Sequence, residues 1–182
     1  MRSLINNFFY MNLFIGSMYF YVKICNKEKT SIKCITNDCN DETKEKEKLN
    51  KCYNVIYYVS YLSCIPSIYG IYKGYYDLSL MSGGVTLTSV NFWRNPDLSW
   101  RREVDIHFVR LSVLYHLLRA YKSENGNIYY LISGSAITCY PIGIYFFINK
   151  EYWMFTLSHT LVHILGDLSN FILYYGDVPK LV

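Results

Sequence analysis

Three ionisable residues, His159, His163 and Asp167, stand at i, i+4 and i+8 within one apolar run, Tyr152 to Gly176. Read as a helix, at about 100° per residue, that spacing puts all three on one stripe of one face. The run is long enough to cross a bilayer, for which roughly 20 residues suffice. Ionisable groups at membrane depth are costly, so they face a bundle interior, a partner or a cofactor. Histidines four residues apart can share one metal ion. The same stripe can equally pack helices together through hydrogen bonds.

The elements that must position this stripe are apolar runs separated by short polar breaks. A chain of 182 residues is about one domain. With 52% hydrophobic and only 18% charged residues, it is poor in charge for a soluble domain. The mean hydropathy of +0.07 averages two unlike regions, a charged stretch and a long apolar remainder. Residues 1–25 contain an apolar run, Leu4 to Cys25, predicted to be a retained N-terminal span because no small-residue cleavage site follows it. Residues 26–51 form a polar, mixed-charge loop ending in DETKEKEKLNK, predicted to be solvated, flexible or a short helix. Residues 52–182 then read as a helical membrane domain.

Within that domain the first span is 52–72, with Pro66 as a kink. Leu78 to Phe92 follows, where Ser82, Gly83, Gly84, Thr86 and Ser89 let a neighbouring helix approach closely. Trp93 reads as an interfacial anchor, and Pro96 and Asp97 set a turn. Val104 to Tyr121 is the next span, broken at Asn125-Gly126. The stretch 127–149 is one span kinked at Pro141 or two half-helices; a single crossing is the expectation. The final span is the His/Asp run. The predicted fold is therefore all-α, a polytopic transmembrane helix bundle of about five core spans plus the N-terminal apolar helix, because only helices and closed barrels satisfy the backbone in lipid.

Alternating these spans puts Lys23, Lys27, Lys29, Lys33, Lys44, Lys46, Lys48, Lys51, Arg94, Arg101, Arg102 and Lys150 on one side. The other side receives Arg2, Lys73, Arg119, Lys122 and Lys180. The positive-inside rule then makes the first side, with loop 26–51, cytosolic. Four cysteines in or beside that loop, Cys25, Cys34, Cys39 and Cys52, have no zinc-finger spacing. Nothing in a net charge of +4 points to nucleic acid; the expected partners are membrane lipids.

Ordered along the chain, the polar groups are Ser89, Asp105, His159 and His163, in TLTSVNFW, WRREVDIHF and LSHTLVHIL. A serine late in one span, an aspartate opening the next and an HxxxH in the last span resemble the CREST superfamily, which contains alkaline ceramidases and the adiponectin and progestin receptors. The resemblance covers roughly residues 80 to 168 and implies a zinc-dependent lipid amide hydrolase. It implies zinc on His159 and His163, Asp105 as base or water-orienting group, and Ser89 holding the transition-state oxygen. Zinc lowers the pKa of its water to about 7. The family's third zinc ligand is a histidine four residues after the serine, and here that residue is Trp93. His116 is the candidate replacement, at a helix depth similar to that of His163 if its span starts at Val104; direct ligation by Asp105 is a second route.

Two other readings remain open. One is a non-catalytic membrane scaffold or degenerate paralogue with a structural His/Asp stripe, in which Arg119 pairs with Asp167. The other is a haem-binding electron carrier with iron between His116 and His163.

Overall fold

The computed structural model describes residues 39–97 and 99–179, with side chains from Thr43 onward. The apolar run 4–25 and the first part of the charged loop lie outside the described residues. Among the described residues every regular element is helical. Helix α1 (Cys39–Ser60) passes through a 3-10 turn (Tyr61–Ser63) into α2 (Cys64–Tyr72), making one continuous rod. Helices α3 (Tyr76–Trp93), α4 (Trp100–Ala120), α5 (Gly126–Ile148) and α6 (Tyr152–Tyr175) complete the chain.

Helix α1 begins inside the charged run and crosses position 51 unbroken. Glu and Lys are good helix formers, and Lys51 pairs with Glu47 at 2.9 Å one turn away. From Cys39 onward this stretch takes the helical form among the alternatives expected for it. Pro66 lies in the first turn of α2, where its missing N–H costs no bond, and the expected kink is the 3-10 turn just before it. Residues 126–148 form a single helix that continues through Pro141; the half-helix alternative does not occur.

The turns carry their own locks. Gly74 (φ 79°) ends α2, its N–H donating to the Ile71 carbonyl and the Tyr75 N–H reaching back to the Gly70 carbonyl at 2.8 Å. This left-handed cap suits glycine. Lys150 (φ 62°) ends α5 in the same way, with Glu151 N–H on the Phe146 carbonyl at 2.9 Å. Ser99 caps α4 by accepting from the Arg101 N–H at 3.3 Å.

The rods pack in the ring order α5, α6, α1–α2, α3, α4, and α5–α6 is the most extensive pair. One end gathers the start of α1 and the α5–α6 turn: Lys150 pairs with Glu45 at 3.2 Å, and the Tyr152 hydroxyl donates to the same carboxylate. The other end joins the α2–α3 and α4–α5 turns to the end of α6. There the Tyr75 hydroxyl donates to the Gly176 carbonyl at 3.0 Å, and the Asn125 side-chain amide donates to the Ile172 carbonyl at 3.0 Å. Gly84 lets α4 approach α3: a Cβ there would meet the Phe108 ring at 2.3 Å.

The interior mixes apolar residues such as Ile56, Leu78 and Leu173 with many polar ones, and large apolar side chains lie on the outside. Buried positions include Ser60, Ser63, Ser82, Ser89, Ser112, His116, Arg119 and Ser169, while Ile68, Leu80, Leu87 and Leu118 are 63–75% exposed. By length and composition, two rods, 43–72 and 126–148, are long and apolar enough to cross a membrane.

Candidate functional site

Ser82, Thr86, Ser89 and Trp93 recur every three or four residues, so one face of α3 carries them all, and all four are buried. Ser82 and Thr86 return their hydroxyls to carbonyls one turn back, Leu78 and Ser82, each at 3.1 Å; they are packing residues, as their spacing predicts. Ser89 instead donates to Asp105 Oδ1 at 2.7 Å, and Thr88 donates to the same oxygen at 2.9 Å. Asp105 sits in the second turn of α4. The two turns around the loop 94–99 thereby bring together the serine and aspartate that the sequence singled out.

Trp93 continues this stripe inward. It is 7% exposed, so the interfacial anchor expected from the sequence is corrected: the ring belongs to the core. Its centroid lies 4.8 Å from that of His159, edge to face, and 5.7 Å from Tyr53. His159 lies 5.3 Å from His163, 5.8 Å from Phe155 and 6.0 Å from Tyr140, centroid to centroid. The contacts thus form two groups, Asp105 with Ser89 and Thr88 between α3 and α4, and Trp93 with His159 and His163 between α3 and α6. Two buried polar atoms, Trp93 Nε1 and Thr160 Oγ1, have no hydrogen-bond partner among the described residues.

His116 is elsewhere. Its Nδ1 meets the Ser112 carbonyl at 2.8 Å and its Nε2 the Tyr174 hydroxyl at 2.6 Å. Tyr174 stands 11 residues beyond His163 on α6, about 16 Å along the axis. The expected match in depth with His163 fails for two reasons. Helix α4 starts at Trp100, four residues before the Val104 used to estimate depth, and the long Tyr174 side chain leans back toward the start of its own helix. Both imidazole nitrogens are occupied, so neither a metal nor a haem iron shared with His163 fits.

Arg119 pairs with Asp77 at 2.8 Å, not with Asp167, and also donates to the Pro179 carbonyl. Asp167 accepts from Ser63 Oγ at 3.0 Å. At the loop end of α4, outside the apolar runs, Asp97 is held below the usual carboxylate range by hydrogen bonds from Ser99 and then by Arg101, whose guanidinium lies 2.9 Å away.

The donor set can now be tested against zinc. A catalytic zinc site takes three protein ligands plus water. His159 and His163 supply two nitrogens, Trp93 offers no lone pair, and among the described residues no three His, Cys, Asp or Glu side chains converge on one point. Among the described residues the donors do not complete a catalytic zinc site. What the arrangement can do is hold a polar group by hydrogen bonds between rings.

Sequence reasoning missed Thr88, Ser63, Asp77 and Tyr174 as partners. Only Trp93 carried a usable signal, its spacing of four from Ser89. A scan of protein-family models, a search of curated proteins and a search of solved structures each return no match to this chain.

Proposed function

We propose that the chain is a multi-pass membrane protein with the CREST-like order of polar groups, acting as a non-hydrolytic scaffold or binding protein in the bilayer. The distribution of side chains is the observation that carries this reading: many hydroxyls, His116 and Arg119 are inside beside Ile56, Leu78 and Leu173, while many leucines and isoleucines are outside. In water that arrangement forfeits roughly 25 cal/mol for every Å² of apolar surface left exposed; in hydrocarbon it is the expected one. The antiparallel rods place Lys44, Lys46, Lys48, Lys51, Arg94, Arg101, Arg102 and Lys150 together at one end, favouring a cytosolic position for that end. The non-hydrolytic half rests on Trp93, whose ring packs on His159 where the resemblance requires a third ligand.

Two measurements on the full chain test the two halves. The protein should stay with membranes through alkaline carbonate and require detergent for release; release by carbonate alone overturns the membrane half. Detergent-purified wild type should hold well under one zinc per chain, and Trp93→His should gain it. One zinc per wild-type chain, lost in His159→Ala/His163→Ala, would instead support the lipid amide hydrolase that the resemblance implies.

A further inference from the structure

Among the described residues, no helix covers the outer face of α4. Trp100, Val104, His107, Leu111, Leu114 and Leu118 follow one another at steps of four and three residues, so they share one stripe of that helix. All of them are exposed, the apolar ones by 43–69%. An open groove of about 430 Å³ runs along the first half of this face, bordered by Trp100, Glu103, His107, Phe108 and Leu111. Helix α4 packs extensively on α3 alone. It meets α5 and α6 locally, as where the Tyr130 hydroxyl donates to the Leu117 carbonyl and His116 meets Tyr174.

Lipid is a poor cover for this face. The Glu103 side chain is 61% exposed and is met by Arg102 only at 3.5 Å. His107 points outward one turn further on. Ionisable side chains at membrane depth face protein rather than hydrocarbon. Helices α2 and α5, by contrast, contain no charged residue and no histidine.

Residues 4–25, outside the described residues, form an apolar segment of the right size. As a helix it would be about 33 Å long, against about 31 Å for α4. It joins α1 only through residues 26–38, and that tether sets its direction. Fully extended, the tether reaches about 50 Å from Cys25 to Cys39. The α1–α2 rod is itself about 51 Å long, from Cys39 to Tyr72. Its Tyr72 end lies with the α4–α5 turn, at the end of α4 away from Trp100. Cys25 at that end would overreach the tether once the sideways distance is added. Beside Trp100, Cys25 needs only about 20 Å along the axis, plus the sideways distance. In this direction Lys23 comes level with Glu103, its opposite in charge.

We propose that residues 4–25 run antiparallel along α4 and seal its outer face, with Lys23 beside Glu103. The contact goes beyond the membrane reading above, since the tether and the charge pair act in any solvent.

The test places the photoreactive residue p-benzoylphenylalanine in the full chain, in its native membranes, at Leu111. A second sample carries it at Trp153, which is 53% exposed on the outer face of α6. After irradiation and digestion, the Leu111 probe should be joined to residues 4–25 of the same chain several-fold more often than the Trp153 probe. Probes at Trp100 and Leu118 should be joined to opposite ends of the segment, near Cys25 and near Leu4 respectively. Glu103→Lys should cut the Leu111 yield about threefold, the size of one exposed ion pair, and Lys23→Glu in the same chain should restore it. All the probed positions are exposed, so the fold is not at stake. Adducts with lipid alone, a link between two chains, equal capture at Trp153, the ends in reverse order, or a yield indifferent to Glu103→Lys each overturns the proposal. Release of the protein by alkaline carbonate with the Leu111 adduct intact would overturn the membrane reading and leave this contact standing.

Discussion

His116 Nε2 and the Tyr174 hydroxyl lie 2.6 Å apart, joining α4 to α6 near the end of the bundle opposite the histidine pair. The proton assignment follows from the partners. The Ser112 carbonyl can only accept, so Nδ1 carries the hydrogen, Nε2 accepts, and Tyr174 donates. Tyr174→Phe removes only the hydroxyl and strands a buried acceptor, which should cost about 1–3 kcal/mol. Unfolding of the detergent-solubilised variant measures it, and a loss within error would show that the bond contributes nothing.

Glycine-to-alanine changes should take opposite signs at two positions. At Gly126 a Cβ would meet the Ala120 carbonyl oxygen at 2.4 Å, a backbone atom that cannot rotate away. Gly126→Ala should destabilise by about 1–3 kcal/mol. Nothing lies within 4 Å of a Cβ at Gly166, in the middle of α6. Gly166→Ala should therefore stabilise by about 0.5–1 kcal/mol. Paired thermal melts decide both, and a shared sign would contradict the packing described.

Ser89 and Asp105 should behave as one unit. In a double-mutant cycle of Ser89→Ala and Asp105→Asn, the two losses should fail to add by about 0.5–3 kcal/mol, as groups in hydrogen-bond contact do. Additive losses would mean that the contact carries no energy.

Acid should act on the loop before α4. Asp97 has a folded pKa below its unfolded value, with Ser99 the larger cause and Arg101 the second. A lowered carboxylate contributes stability above its unfolded pKa of about 3.9 and loses it as pH falls through the folded value. Asp97→Asn should therefore melt below wild type at pH 6, and the gap should narrow as pH falls below the unfolded pKa of about 3.9. A constant gap across that range would refute the assignment.

Much of this was readable from spacing alone. Ser82, Thr86 and Ser89 share a stripe by arithmetic, and an aspartate early in the next helix must come back beside the serine when the intervening loop is short. The inward turn of Trp93 was equally available, one step further along that stripe. Tryptophan's general preference for membrane interfaces obscured it. Pairings across long separations were not readable. Arg119 and Asp77, or His116 and Tyr174, depend on where each helix starts and how far a side chain leans, and an error of four residues at Trp100 displaces a depth estimate by about 6 Å. The charged stretch before residue 52 was read by its polarity, whereas its helix is set by propensity and the Glu47–Lys51 pair.

The clasp of Glu45 by Lys150 and Tyr152 has a bearing on biogenesis. It joins positions 105 and 107 residues apart, so the ring of rods stays open until the last hairpin has left the ribosome. Until then Trp93 and Ser63 lack their partners on α6, His159 and Asp167. Contacts this distant in sequence form late and expose unfinished surfaces while they wait. A chain stopped before α6 should therefore be a substrate for membrane quality control, retained by chaperones or degraded, even though four of its five rods are complete.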